Sequence, residues 1–369
     1  MTKKILIAVD APGPAAFIAP VIPLLKEERG KGKVVSELRI ITVKESPTKV
    51  LKKYQPLQCD SKREAEKIYR NFNPDILLTA PSLLELGPFV IGHLNKLARQ
   101  NQKRIIGFQD FWANHRWKIN FKWLKAWEAI LVIDQLAKKL ILEDGFRGKT
   151  IVTGSPAFDK FRSVKVFRER KRLRELFKIP DKTAVLIYSG TGTPQSHKED
   201  EITFKFLAQA VRELKKRREI ILIVRHHPRD ENPKRYLKIS PDLEELDTSS
   251  IESTDELLPM ADAVLGMYAT NLVHACYLKI PGISILLPRG GKRRLKKIRL
   301  DDFPPNKVGA TVGIYKESVP LLKNVIEKIL DQPVFRAKLR QAQAKRFLLP
   351  RTPAAFRVAQ VIRALIELS

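Results

Sequence analysis

Ile5-Leu6-Ile7-Ala8-Val9, followed at once by Asp10-Ala11-Pro12-Gly13-Pro14-Ala15, decides how the chain is read. The first five residues are apolar with no alternation. A strand of that kind is buried on both faces, which is the environment of a parallel sheet covered by helices. Runs of similar character recur at Leu38–Val43, Ile76–Thr79, Arg104–Phe108, Ala129–Ile133 and Thr150–Thr153. Amphipathic stretches such as Lys62–Asn71 and Phe89–Gln100 separate them. The spacing predicts a βαβ series of about six strands.

A second series follows a break. Lys160–Lys178 carries nine basic and two acidic residues, with apolar positions at helical spacing. Ile179-Pro180-Asp181 ends that helix, because proline drives the residue before it out of the helical region. Strands are expected at Ala184–Ser189, Ile220–Arg225, Ala263–Gly266 and Ile283–Leu287, a long helix at Asp200–Lys216, and helices again over Val334–Ser369, split by Pro350. The expected fold is α/β, with two Rossmann-like, doubly wound parallel-sheet domains. They span 1–158 and 183–333, with a linker helix over 159–182 and C-terminal helices over 334–369.

Composition narrows the class. The chain has 369 residues, 69 Lys plus Arg and 40 Asp plus Glu, a net charge of +29. A hydrophobic content of 44% is enough for globular folding, so the charge does not mark a disordered tail. Cys59 and Cys276 are the two cysteines, too few for a disulfide framework and wrongly spaced for a metal site. No apolar run reaches the ~18 residues of a membrane span. The longest, Ala15 to Leu25, is broken by Pro20 and Pro23. The start goes straight into a strand pattern, so no signal peptide is expected. The G-x-G-x-x-G, H-E-x-x-H and G-x-S-x-G motifs are absent, and Gly148-Lys149-Thr150 lacks the first glycine of a P-loop.

Five places carry candidate chemistry. Gly13 follows the first strand, where a glycine lets backbone approach a ligand closely; it reads equally as part of a plain strand–helix turn. Gly190-Thr191-Gly192-Thr193 sits between a strand and a helix, the setting of an anion cradle. Arg225-His226-His227-Pro228-Arg229 ends a strand with cations able to grip phosphate and imidazoles able to donate or move a proton. Tyr268-Ala269-Thr270-Asn271 opens a helix whose N–H groups suit a diphosphate. His274, one turn on, would touch a ribose or sit in the core. Gln109-Asp110-Phe111-Trp112-Ala113-Asn114-His115 places a carboxylate near a histidine, as general-base chemistry requires, with aromatic faces for stacking on sugar or base rings. Asp110 also reads as a helix cap, with the aromatics in the core.

In these motifs the chain resembles the GT-B glycosyltransferase fold. Within it, the likeness is to nucleotide-sugar glycosyltransferases, lipid-A-disaccharide synthase and the non-hydrolysing UDP-N-acetylglucosamine 2-epimerases. Asp10–Leu25 resembles the group's glycine loop and first helix. Ile151–Asp159 resembles the segment closing its first domain, and His227-Pro228 its His-Pro signature. Ala261–Pro281 resembles its nucleotide-binding strand and helix, and Ala355–Leu368 the helix that crosses back to the N-terminal domain. The resemblance implies two domains facing across a cleft, an acceptor side at the N-terminus, and a nucleotide-sugar donor, a UDP-sugar first of all, at the C-terminus. It implies no metal and no cofactor. Catalysis would fall to Asp110 or His115 as base, and to His227. Donor binding would fall to Gly13, Gly190, Thr191, Gly192, Thr193, Arg225, His226, Tyr268, Ala269, Thr270, Asn271 and His274. Three departures stand out: His274 takes the place of the group's ribose-gripping glutamate, Tyr268-Ala269-Thr270 replaces the epimerases' serine–glycine pair, and their Gln-Glu-Glu run is absent.

Three functional classes follow: a glycosyltransferase, a sugar-nucleotide 2-epimerase, and, from charge alone, a nucleic-acid-binding protein without any recognised nucleic-acid motif. Arg289–Arg299 has seven basic residues in eleven, and Arg336–Arg351 adds six. Lys160–Phe177 and Arg336–Phe347 mix basic and apolar residues as a helix on an anionic membrane does. The expected location is cytoplasmic, extending to the inner membrane face; a merely solvated basic surface fits the same pattern.

Overall fold

The computed structural model describes residues 3–26, 35–80, 87–116, 124–190, 194–227, 230, 234–240, 246, 248–251 and 253–367. The chain divides into two compact units, residues 1–159 with 349–369, and residues 160–348.

Unit one holds a seven-stranded parallel sheet. Its strands are β1 (Lys3–Val9), β2 (Val35–Thr42), β3 (Leu57–Gln58), β4 (Ile76–Thr79), β5 (Arg104–Gln109), β6 (Ala129–Val132) and β7 (Lys149–Val152). The order β3-β2-β1-β4-β5-β6-β7 means that the chain winds outward from β1 and then returns to β4 on its other side. All four residues of β4 and of β6 are buried. Successive strand residues point to opposite faces, so both faces are covered, as unbroken apolar runs require.

Unit two holds β8 (Ala184–Ser189), β9 (Ile220–Arg225), β10 (Ala263–Gly266), β11 (Gly282–Ile285) and β12 (Val312–Ile314), in the order β12-β11-β10-β8-β9. Its core gathers Leu186, Leu222, Leu265 and Ile285 from the sheet with Phe204, Leu207 and Val211 of the helix Pro194–Lys215 and Leu322, Ile326 and Ile329 of the helix Val319–Asp331. Each sheet reverses its winding once, between β1 and β4 and between β8 and β10. Open parallel sheets bind ligands outside the carboxyl ends of the strands at such a point.

The final helix, Ala354–Glu367, belongs to unit one. The Asp159 carboxylate accepts the N–H groups of Ala354 (3.0 Å) and Ala355 (2.8 Å), capping the helix start. Arg357 donates to the Thr153 carbonyl, Arg363 to that of Leu24, and Arg104 to that of Leu365.

Three sequence expectations are corrected. The edge strands β3 and β12 carry no apolar run; both β3 residues are exposed, and Gly313 lies at the centre of β12. The basic helix is shorter than Lys160–Lys178. A 3-10 helix covers Pro156–Arg162, Lys165 is non-helical at φ −90°, ψ 85°, and the α-helix runs only over Val166–Leu176. That helix is no free linker: Arg170 donates to Asp262 (2.8 Å) and to the carbonyls of Met260 and Ala261, all within unit two.

Candidate functional site

At the carboxyl edge of the first sheet, β1 delivers the fully buried Asp10 and then Gly13. A β-carbon on Gly13 would stand 2.1 Å from Oδ2 of Asp110. A larger residue there would push aside the carboxylate at the end of β5, which rests against the backbone. The other oxygen, Oδ1, accepts from Asn114 Nδ2 at 2.9 Å. Ala113, at φ 58°, makes the left-handed turn that brings Asn114 back to Asp110. Asp110 is only partly buried.

His115 lies elsewhere. It is fully buried, its Nε2 2.8 Å from Asp144 Oδ2 and its Nδ1 3.3 Å from Gln109 Oε1. Burial pushes its pKa down to about 4, against the opposing pull of Asp144. Both ring nitrogens serve the loop, so His115 is withdrawn as a base and becomes a positioning residue. The aromatic pair is also reassigned. Phe111 and Trp112 are buried against each other at 5.0 Å, and Trp112 Nε1 donates to Asp134 (2.7 Å), leaving no free stacking face. Asp134 in turn caps the helix Gln135–Glu143, its Oδ1 accepting from Ala137 N–H at 2.8 Å.

In unit two the ends of β8 and β10 are tied across the winding reversal by Asn271 Nδ2, which donates to Ser189 Oγ at 2.6 Å. Asn271 belongs to the first turn of the helix Thr270–Tyr277, whose N-cap is Ala269. That first turn contains no acid. Tyr268 packs edge-on against Phe303 at 5.3 Å.

Gly190 is needed for a different reason from the expected one. A β-carbon there would meet Tyr236 Oη at 2.1 Å. Tyr236 belongs to a buried network in which Asp200 accepts from Tyr188 (2.6 Å), Arg235 (2.5 Å) and Tyr236. Thr191, Gly192, Thr193, Pro228 and Arg229 lie outside the described residues.

Arg225 is likewise reassigned. Its guanidinium donates to the Thr248 carbonyl (3.2 Å) and hydroxyl (3.0 Å) and to the Ile251 carbonyl (2.9 Å), so it organises a loop of its own unit. His226 is half-buried and packs on Tyr236 at 5.1 Å, and burial lowers its pKa. His227 is half-buried, and its carbonyl accepts from Asp230 N–H. His274 is buried; its Nδ1 bonds Asp255, which also pairs with Lys160, and its ring faces Phe161 at 5.1 Å. Asp255 is held well below the usual carboxylate range by these two partners, despite the opposing effect of burial.

Sequence reasoning missed Arg294, in the helix Gly291–Lys297. Its Nη1 is buried with no hydrogen-bond partner among the described residues. Burial lowers its pKa, and the nearby groups that act on its charge are Tyr268, Asp200 and Glu199. Gly290, just before the helix, packs on Thr203 and Met267. A usable signal exists in the sequence: Gly291, Leu295 and Ile298 face inward at helical spacing, and 294 falls on that same face.

A guanidinium with a buried, unsatisfied Nη1 and a helix start free of acid are each groups that favour an anion. No family model matches the chain, and no curated protein matches it in sequence. Solved structures do. A putative UDP-N-acetylglucosamine 2-epimerase from Listeria monocytogenes aligns with TM-score 0.72 at 14% identity, covering 100% of this chain and 98% of that one. The UDP-GlcNAc 2-epimerase of Neisseria meningitidis, bound to UDP-GlcNAc, gives 0.68 at 14%, covering 99% and 100%. A glycosyltransferase from Rickettsia africae gives 0.61 at 14%, covering 99% of each. The fold is GT-B. At these identities the likeness extends to the fold and leaves the activity to be argued from residues.

Proposed function

We propose that the protein is a glycosyltransferase that moves a sugar from a nucleotide-diphosphate donor to an acceptor hydroxyl. The observation that carries the proposal is Asp110: a partly exposed carboxylate at a strand's carboxyl end, steadied by Asn114 on one oxygen and seated on Gly13 with the other. In transfer, the acceptor O–H gives its proton to this carboxylate as the oxygen bonds the anomeric carbon. The bond from that carbon to the diphosphate breaks, and the diphosphate leaves with the electron pair. One base suffices. Unit two binds the donor, with Arg294 and the first-turn amides at Thr270 and Asn271 stabilising the charge that develops on the diphosphate. A UDP-sugar is the donor of choice, because one of the aligned structures holds UDP-GlcNAc.

A second reading, a 2-epimerase, is favoured by the names of the aligned structures. An epimerase must act with acid and base groups on both faces of the sugar ring. Of the carboxylates that follow β1 and β6, Asp10 is fully buried and Asp134 is occupied by a helix cap and Trp112. That supports transfer over epimerisation.

The deciding experiment incubates the protein with UDP-GlcNAc alone and then with candidate acceptors, comparing the natural protein with Asp110→Asn. Transfer that needs an acceptor, and falls ~10²–10⁴-fold in the variant while donor affinity stays, is expected. Conversion of the donor without acceptor would establish the epimerase instead.

A further inference from the structure

Two segments mix basic and apolar residues at helical spacing, and the structure separates them. In the helix Pro333–Arg346, Leu339 is buried, as is Phe347 just beyond it. What remains outside includes Lys338, Arg340 and Lys345, with Val334 69% exposed at the helix start and Leu348 66% exposed just beyond its end. The helix Val166–Leu176 differs in exposing an aromatic ring among its cations. Leu173 and Arg174 turn inward, and Arg170 is tied to Asp262. Outward, Phe167 is 84% exposed and Leu176 51% exposed. Arg168, Lys171 and Arg172 lie exposed between them, with Lys165 just before the helix. A pocket of ≈ 440 Å³ opens beside Arg168 and Arg172, lined also by Lys160, Phe161, Lys165 and Pro259. Its acids are Glu169, Asp255 and Glu256, of which Asp255 pairs with Lys160 and Glu169 with Arg172.

We propose that this face docks on an anionic lipid bilayer. The Phe167 ring enters the boundary between head groups and acyl chains, where an aromatic side chain is most at home. The surrounding cations meet lipid phosphates. Charge complementarity selects the occupant: a net charge of +29 and a cationic rim fit a negative surface. The exposed ring distinguishes a bilayer from a nucleic-acid duplex, whose phosphates would use the cations and leave Phe167 idle.

Sedimentation of the whole protein with vesicles tests this. Binding is expected to phosphatidylcholine vesicles containing phosphatidylglycerol and not to phosphatidylcholine alone, and it should weaken with salt. Each cation near an anionic leaflet contributes about a fivefold factor, so Arg168→Glu/Lys171→Glu/Arg172→Glu should lower partitioning on the order of 100-fold. Phe167→Ser should lower it several-fold at unchanged charge. Lys338→Glu/Arg340→Glu/Lys345→Glu removes the same charge from the other helix and should retain most of the binding. Equal losses in the two triple variants, no effect of Phe167→Ser, or no preference for the anionic vesicles would each overturn the proposal. All the substituted side chains are exposed, so melting temperatures should hold; if a triple variant melts early, Phe167→Ser alone decides.

Discussion

Gly13 and Asp110 are fitted to each other: a single β-carbon on the first would overlap Oδ2 of the second, at 2.1 Å. Atoms 97 positions apart in sequence thus share one space at the carboxyl edge of the first sheet. Gly13→Ala should displace the Asp110 carboxylate and leave the fold in place, because Gly13 itself is exposed. The expected loss of turnover is ~10²-fold or more. The double variant Gly13→Ala/Asp110→Asn should be scarcely worse than Asp110→Asn alone, because both changes disable one group. Additive losses in such a cycle would separate the two residues and undo the assignment of Asp110 as base.

His115 gives a pH prediction. Its folded pKa is about 4, below the unfolded value of 6.5. The unfolded chain therefore binds a proton that the folded one refuses, and stability must fall as pH drops from about 6.5 towards 4. A shift of this size corresponds to about 3 kcal/mol. The contribution is fully present above pH ~6.5. Denaturant melts at pH 7 and pH 4.5 should show the decline, and His115→Asn should flatten it within that window. A histidine that served as an exposed base would produce no such dependence.

The two thiols are a test of the packing. Cys59 and Cys276 are buried and unpaired, and burial pushes both thiols up to about 12. The thiolate is the reactive form, so neither should react with a thiol reagent in the native protein at pH 8. Both should react once denaturant opens the two units. Rapid labelling of Cys276 in native buffer would show that the helix Thr270–Tyr277, which carries the proposed donor site, opens locally.

How much was legible in the sequence follows physical lines. Strands buried on both faces announce themselves, and β4, β8, β9 and β10 fall at the expected residues. Edge strands such as β3 bury little and leave no pattern. Candidate residues were located, but their partners were not. Arg225 reads as a phosphate ligand until Thr248 and Ile251 are seen to occupy it, 23 and 26 residues on. His115 reads as a base until Asp144 is found 29 residues away. Type and strand-end position are local properties; what satisfies a polar group is set by tertiary contact. Arg294 shows the converse, a residue hidden among like charges until the helix face is resolved.

Arg225 and Arg294 allow the last prediction, because the same substitution should act on them in opposite ways. Arg225 satisfies two carbonyls and a hydroxyl of a loop. Arg225→Met leaves those acceptors without their donor and should cost about 2 kcal/mol of stability. Arg294 carries a buried Nη1 with no partner among the described residues. A buried unsatisfied donor is a cost to the empty protein, so Arg294→Met should leave the melting temperature unchanged or raised. A saturating ligand stabilises a native protein by RT ln(1 + [L]/Kd), about 2.7 kcal/mol at 100 times Kd. UDP should supply that increment to the natural protein and, once the structural loss is allowed for, to Arg225→Met as well. In Arg294→Met it should be largely gone, because the guanidinium that meets the diphosphate is missing. Thermal melts with and without UDP on the three proteins read both quantities at once. If Arg294→Met melts early and keeps its UDP increment, Arg294 is structural and the diphosphate binds elsewhere.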